Sequence, residues 1–542
     1  MFKHHQVTVL LFSLLILALV GSMPAPVAGG TNPGHQIYAI PAFSRQYGTS
    51  CSTCHVNFPK LNDFGKAFKD AGFKFPKDDE TFIKVPPVML GSPAQKELWP
   101  HTIWPGTIPG LPPVGLRFNT FFQVVGRNRN NFNLQPPVDP TAPFISPPFI
   151  PRTDFQSGLF SIFMAGNFGD DIAFWVDDDI SVGGSGANGG LGDGYLKFVN
   201  IGRHLKLPTD SLSLRIGQFE LDLPFSPARS WNLSGWDIYD QANIGTVNSI
   251  LGLPTVNNSF AMSNAAQGVE FSGGHNYRGY HYSLAIVNQN TSGGAAATGN
   301  NVPPEVAYTS DSNFKDIYAR LSYRFNLERD PASRNEIQAA GASGPRDHTY
   351  LNLGTLYFYG RSVQRFQGQD STGASTVLTA REPFYRVGGD FSFNYHALNL
   401  FGQYMYGRDQ NLLPLLPAGL PPPTGLLRGS PASFSGGFLE ADYLPLPWLM
   451  TIMRWDAVHS TADLINGIGA TPDTDIGSFV SPFHATRNRF TPGVQFLIHA
   501  NIKASFEYQI RPQQIVYDPT TGTPLTGAFR TNSAIAGLEF VY

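Results

Sequence analysis

Beyond Gly115 the chain alternates apolar and polar residues in segments of about ten, parted by clusters of Gly, Pro, Asn, Asp and Ser. The clearest segment is Ile317-Tyr318-Ala319-Arg320-Leu321-Ser322-Tyr323-Arg324-Phe325, apolar at odd positions and mostly polar at even ones. A period of two puts one residue set on each face of a strand, one suited to lipid and the other to a lumen. The same period recurs over 116–125, 212–219, 351–359, 384–393, 398–406, 450–455, 494–498 and 502–508. The pattern predicts about sixteen strands, an even number of the kind found in bacterial barrels. Long Pro- or Gly-rich stretches at 134–153, 291–313 and 412–433 read as the outward loops between them.

Composition turns this pattern into a class. Charged residues make up 14% of the chain and aromatics 13%, and Gly and Pro number 56 and 44. Soluble domains carry about 25% charged residues. After the N-terminus no stretch approaches 18 uncharged apolar residues, which excludes a helical span. A closed barrel is the other structure that satisfies its backbone in lipid, so residues 114–542 are expected to form a transmembrane antiparallel β-barrel in the outer membrane. A soluble β-sandwich or solenoid is the competing fold, but no repeat period supports it. Residues 1–28 read as a secretory signal: Lys3 precedes an apolar run over 7–20, then small residues lead to Ala28. A formal charge of -3 offers no footprint for nucleic acid, and no phosphate loop, nucleophile elbow or zinc-protease motif occurs.

Two local resemblances sit in the strand pattern. The ending Ala534-Ile535-Ala536-Gly537-Leu538-Glu539-Phe540-Val541-Tyr542 resembles the C-terminal strand by which outer-membrane barrels are recognised for assembly. Arg215-Ile216-Gly217-Gln218-Phe219-Glu220, followed by Leu223-Pro224-Phe225-Ser226, is similar to a strand and loop of phosphate-selective-type porins, with no implication for phosphate itself.

The only two cysteines stand in Cys51-Ser52-Thr53-Cys54-His55. Cys-x-x-Cys-His is the attachment sequence for haem c: two thiols bond the porphyrin and the adjacent imidazole serves the iron as proximal ligand. A structural zinc site would need further soft ligands that the chain lacks, and a redox dithiol usually belongs to a βαβ context. Export suits both haem attachment and a disulfide. After the motif, Pro59 and Gly72 are positioned to open and close one helix, and Phe58, Leu61, Phe64 and Phe68 recur as an apolar stripe.

The run Pro41-Ala42-Phe43-Ser44-Arg45-Gln46-Tyr47-Gly48, then Cys51 to His55, then Phe58-Pro59-Lys60-Leu61-Asn62-Asp63-Phe64-Gly65-Lys66-Ala67-Phe68-Lys69 and Gly72-Phe73, closely resembles the N-terminus of the fused outer-membrane cytochrome-porins. That family joins one c-type haem segment to a porin barrel, and its best-known members oxidise extracellular ferrous iron. The resemblance implies covalent haem c on Cys51, Cys54 and His55 within a haem domain and Pro-rich link spanning 31–113. It also implies an extracellular electron donor such as Fe(II) and a periplasmic c-type cytochrome as partners. Iron-oxidising members have one more residue and a second histidine before the Phe-Pro; here only Val56-Asn57 intervene, so the match speaks to architecture more than to iron.

The sixth ligand stays open among Met89, His101, His35, a barrel residue or none. Met89 lies in the extended stretch Val85-Pro86-Pro87-Val88-Met89-Leu90-Gly91, and methionine would raise the potential. Residues 75–113 are too rich in proline for central strands and should run as a stiff link. Asp177-Asp178-Asp179 is the densest acidic run for transient ferrous iron, though such a run is more often a solvated strand end. The expected function is electron transfer across the outer membrane, with a lumen wide enough to be plugged by the haem unit. Two rivals are a solute porin with a haem-bearing gate or sensor, and a haem enzyme with an open sixth position.

Overall fold

A computed structural model of the chain describes residues 42–49, 51–75, 114–125, 152–168, 171–182, 190–226, 232–241, 265–288, 314–327, 349–369, 372–410, 412–415, 425–428, 432–460, 485–499, 501–510 and 532–542, with short pieces at 83, 88–89, 94, 97, 107–108, 230 and 262. The expected signal segment, His35, His101 and most of the expected loops at 134–153 and 291–313 lie outside the described residues.

Two short ribbons precede the barrel: His55–Asn57 (β1) with Lys60–Leu61 (β2), and Val88–Met89 (β3) with Thr107–Ile108 (β4). The second ribbon folds the Pro-rich link back on itself outside the main sheet, as its prolines require. The barrel strands are Val114–Val125 (β5), Arg152–Phe168 (β6), Ile172–Val182 (β7), Gly190–Phe198 (β8), Ser213–Phe219 (β9), Ala266–His275 (β10), Arg278–Val287 (β11), Asp316–Asn326 (β12), Tyr350–Gln369 (β13), Ser375–Tyr395 (β14) and Leu398–Asp409 (β15). A side ribbon of Leu412–Leu415 (β16) and Gly425–Arg428 (β17) follows within the stretch read as a loop. The barrel then resumes with Ala432–Leu446 (β18), Leu449–Ser460 (β19), Ala485–His499 (β20), Ile502–Gln509 (β21) and Ser533–Val541 (β22).

Each barrel strand pairs antiparallel with its chain neighbour, and β22 returns to pair with β5 through Phe540↔Phe118 and Val541↔Arg117. Sixteen strands therefore close with no free edge, which removes the sandwich and solenoid alternatives. Closure satisfies the backbone within the sheet, the condition for crossing lipid without helices.

The alternation decides which residues face where. In β12, Tyr318, Arg320, Ser322 and Arg324 are buried towards the lumen, whereas Ile317, Leu321, Tyr323 and Phe325 are exposed on the outside. Leu321 is 56% exposed and Arg324 only 3%, the reverse of a water-soluble protein. The outer belt of apolar side chains is a lipid face, and Phe168, Phe325, Tyr395, Trp448 and Tyr542 add an aromatic girdle at the end that carries Val114 and the C-terminus. Several charges in the lumen are held in pairs: Arg320 grips Asp390 with two bonds at 2.7 and 3.0 Å, and Asp456 receives both Arg454 and Arg489. Pairing is what makes such burial tolerable, because an isolated buried charge costs several kcal/mol.

Between β9 and β10 the chain turns into the lumen. Trp236 Nε1 donates to Glu440 at 2.7 Å, the Ser234 hydroxyl donates to Glu507, and Tyr239 OH donates to Gln403 at 2.6 Å. A short helix, Asp237–Gln241, lies against this wall, with Ile238 and Tyr239 buried.

Candidate functional site: a Cys-x-x-Cys-His segment inside the lumen

Residues 42–75 form a small folded segment. Helix α1 spans Ala42–Tyr47, a 3-10 turn covers Cys51–Thr53, and helix α2 spans Asp63–Asp70. The expectation that Pro59 opens the helix is corrected: Pro59 sits in the turn joining β1 to β2, and Asn62 is the cap. Its Oδ1 accepts from Gly65 N at 2.8 Å, the Asn cap a helix start favours, and Asp63 in the first turn complements the helix dipole. Asn62 also faces the Cys-x-x-Cys-His motif, since its Nδ2 donates to Thr53 O at 3.0 Å and its N donates to Cys54 O at 2.9 Å. Gly72, at φ +80, ends the helix as expected.

Gly65 is required by contact. A Cβ there would stand 2.2 Å from the Cys54 carbonyl oxygen, so only glycine lets α2 lie directly on the cysteine turn. The expected four-residue stripe divides accordingly: Phe64 and Phe68 lie on α2, whereas Phe58 and Leu61 belong to the ribbon and its turn. Phe68 is buried with Tyr47 and Phe73, against Phe43 and Phe75. That cluster continues into Ala165, Ala173 and Trp175 of the barrel wall. The segment is too small for an adequate core of its own, and the wall supplies the missing half.

Contacts reach the wall from many directions. Asp63 receives both ends of the Arg324 guanidinium at 2.7 and 2.6 Å, and Lys60 Nζ donates to Asn399 at 2.8 Å. Lys503 Nζ donates to the Phe58 carbonyl at 2.9 Å, and Arg45 donates to Val114 O at 2.6 Å. Phe73 packs on Trp175 and Asn276 N donates to Asp70. These partners lie at the end of the barrel with the terminal strands' outer ends and the short turns, so the segment sits in that mouth as a plug. Above it, towards the inward-turned loop, lies a cavity of about 330 Å³ lined by Lys66, Asp70, Arg215, Asp222, Arg320 and Phe225 among others.

Within the plug, His55 Nδ1 lies 3.1 Å from the Pro59 carbonyl. A carbonyl only accepts, so the proton belongs on Nδ1 and the lone pair on Nε2, the tautomer that a metal-ligating histidine needs. Burial holds the imidazole neutral, pulling its pKa down to about 4 against a smaller opposing effect of the Pro59 and Lys60 carbonyls. Cys51 and Cys54 are free thiols beside it. Burial, with Cys51 adding to it, pushes Cys54 up to about 12, and burial raises Cys51 as well, so neither has the thiolate character of an activated redox dithiol. Two free thiols at helical-turn spacing and an oriented neutral imidazole fit covalent haem c.

The other sequence candidates fare differently. Met89 is paired through its backbone with Thr107, and its side chain lies outside the described part of the structure. In the Asp177-Asp178-Asp179 run, Asp177 Oδ1 is taken by Trp175 Nε1 and Asp193 N, and the Asp179 side chain lies outside the described part of the structure. Among the described residues no group of three or more His, Cys, Asp or Glu could hold a metal ion. The sequence reading missed Asn62, Gly65, Arg324 and Lys503 as parts of the site. An Asn three residues before Gly at a helix start was a readable cap signal, whereas the two wall cations had no local signal at all.

No protein-family model matches the chain, and no curated protein matches it. Solved structures similar to it include OmpT, an outer membrane protein of Vibrio cholerae, at 8% identity over 79% of this chain and 97% of that one, with a TM-score of 0.39. Salmonella typhi OmpF in complex with daunomycin is similar at 9% identity over 79% and 97%, with a TM-score of 0.40. A mutant Rh. blastica porin reaches 11% over 79% and 99%, with a TM-score of 0.33. The strand closure and the outward apolar belt carry the assignment by themselves: the chain is a porin-like outer-membrane β-barrel whose mouth holds the Cys-x-x-Cys-His segment.

Proposed function

We propose that this protein passes electrons across the outer membrane, using one haem c bonded to Cys51 and Cys54 with His55 as proximal ligand, between an extracellular donor and a periplasmic c-type cytochrome. The carrying observation is the His55 Nδ1 contact with the Pro59 carbonyl, inside a segment seated in the barrel mouth. Haem held there supplies a one-electron iron couple. The protein's part is positional. Asn62 and Gly65 lock α2 onto the cysteine turn, Pro59 fixes the imidazole, and the clasp to Arg324 and Lys503 keeps the segment at the mouth that outer-membrane topology turns to the periplasm. The barrel wall insulates this path from about 30 Å of hydrocarbon. Ferrous iron is one donor of the right kind, and Met89 is the distal ligand favoured by the sequence.

Expression with the haem-attachment machinery tests the reading. Intact mass should rise by one haem, with a c-type visible spectrum, and vesicles carrying the protein should reduce an enclosed cytochrome c when a donor is added outside. A chain that gains no haem mass, or haem-loaded vesicles that leave the enclosed cytochrome oxidised with every donor, ferrous iron included, would overturn it.

A further inference from the structure

We propose that Lys503, a barrel-wall residue, sets the reduction potential of the iron held at His55, acting as a positioning residue of fixed charge; the proposal rests on the haem reading above. Lys503 is the second residue of β21, and its inward side chain is 3% exposed. Its Nζ donates to the Phe58 carbonyl at 2.9 Å. The next carbonyl along the chain, that of Pro59, takes the His55 Nδ1 proton. Two consecutive carbonyls thus join the wall cation and the ligand imidazole to one turn. The Phe58 ring is close to both, its centroid 5.8 Å from Lys503 Nζ and 5.6 Å from the His55 ring.

Around the ammonium the charges are fixed. Glu539, directly across on β22, accepts from Lys503 at 2.7 Å, and Arg117 of β5 holds the other oxygen of the same carboxylate. The trio is one acid between two cations, with Lys503 on the His55 side. In this poorly solvated setting a charge acts over several ångströms with far less screening than in water. A positive charge opposes the more positive ferric state, so Lys503 raises the potential, and Glu539 works in the opposite direction. Glu539 offsets the cost of burying the ammonium, and the Phe58 carbonyl ties that charge to the turn that holds His55.

Equilibrium redox titration of purified, haem-loaded protein tests this, with the heat-dependent gel mobility of folded barrels as the folding control. Lys503→Met is expected to lower the midpoint potential, Lys503→Arg to stay near the parent, and Glu539→Gln to raise it. The opposed signs matter, because simple loosening of the plug would move the first and last together. Should Lys503→Met fail to fold, Glu539→Gln decides alone: an upward shift supports the role, and no shift or a downward one overturns it. Lys503→Met at the parent potential, or Lys503→Arg displaced as far as Lys503→Met, also overturns it. A parent chain without haem mass defeats the haem reading and the proposal with it, whereas haem present with unmoved potentials defeats the proposal alone.

Discussion

The clasp between Asp63 and Arg324 gives the sharpest test of the plugged barrel, because it joins the segment to the wall and takes no part in the sheet's own hydrogen bonds. Arg324 is almost fully buried, donates both terminal nitrogens to the Asp63 carboxylate at 2.7 and 2.6 Å, and stacks 3.5 Å from the Tyr350 ring centroid. Removing one partner of a buried pair costs about 3–5 kcal/mol, mainly through the charge left behind. In Arg324→Met that orphan is Asp63, whose side chain is 20% exposed and keeps Lys66 at 3.2 Å, so about 2 kcal/mol is a fitting figure. In Asp63→Asn the orphan is the guanidinium, 2% exposed, and the full cost of about 3–5 kcal/mol applies. Seating of the plug is therefore weakened about 30-fold in the first variant and by more than 100-fold in the second, at about 1.4 kcal/mol per decade. Trypsin cleavage at Lys66, followed by mass spectrometry on folded protein in detergent, reports the unseated population when opening is fast. The double variant should fall below the sum of the two losses, since its sites share one interaction. Parent-like cleavage in Arg324→Met, or a larger effect there than in Asp63→Asn, would refute the reasoning.

Other outcomes follow from the same geometry. Gly65→Ala places a methyl against the Cys54 carbonyl oxygen, and at an overpacking cost of about 1–3 kcal/mol it should lower the yield of covalent haem while the barrel still folds, read by haem absorbance per chain. Asn62→Ala loses the cap of α2 and the tie to Thr53, and should speed Lys66 cleavage by about 1–2 kcal/mol worth of unseating, with Asn62→Asp recovering the cap alone. Burial by itself would raise the Asp63 carboxyl, but Lys66 and Arg324 outweigh it and hold the group below its ordinary value. The clasp's contribution is accordingly complete above about pH 4 and lost as pH falls through the lower folded value, so pepsin cleavage of the plug should steepen at acid pH and lose that steepening in Asp63→Asn. In planar bilayers the parent should conduct far less than a variant lacking residues 42–75; equal conductance would favour the open solute porin.

The sequence by itself determined the barrel, its strand faces and the Cys-x-x-Cys-His spacing, because each is written in local order. A period of two sets which side chains of β12 meet lipid, whatever the rest of the chain does. Likewise the spacing of Cys51, Cys54 and His55, on which the haem proposal rests, is written without any tertiary contact. The helix start was misread by a few residues, since Pro59 and Asn62 both signal a beginning and only the β1–β2 pairing spends the proline on a turn. Tertiary structure alone decided where the plug sits and what holds it. Arg324 and Lys503 lie 261 and 445 residues from their partners Asp63 and Phe58, and along the chain each looks like any other lumen-facing cation. Closing the sheet brings β12 and β21 to bear on one short segment, and only then do those charges acquire a role.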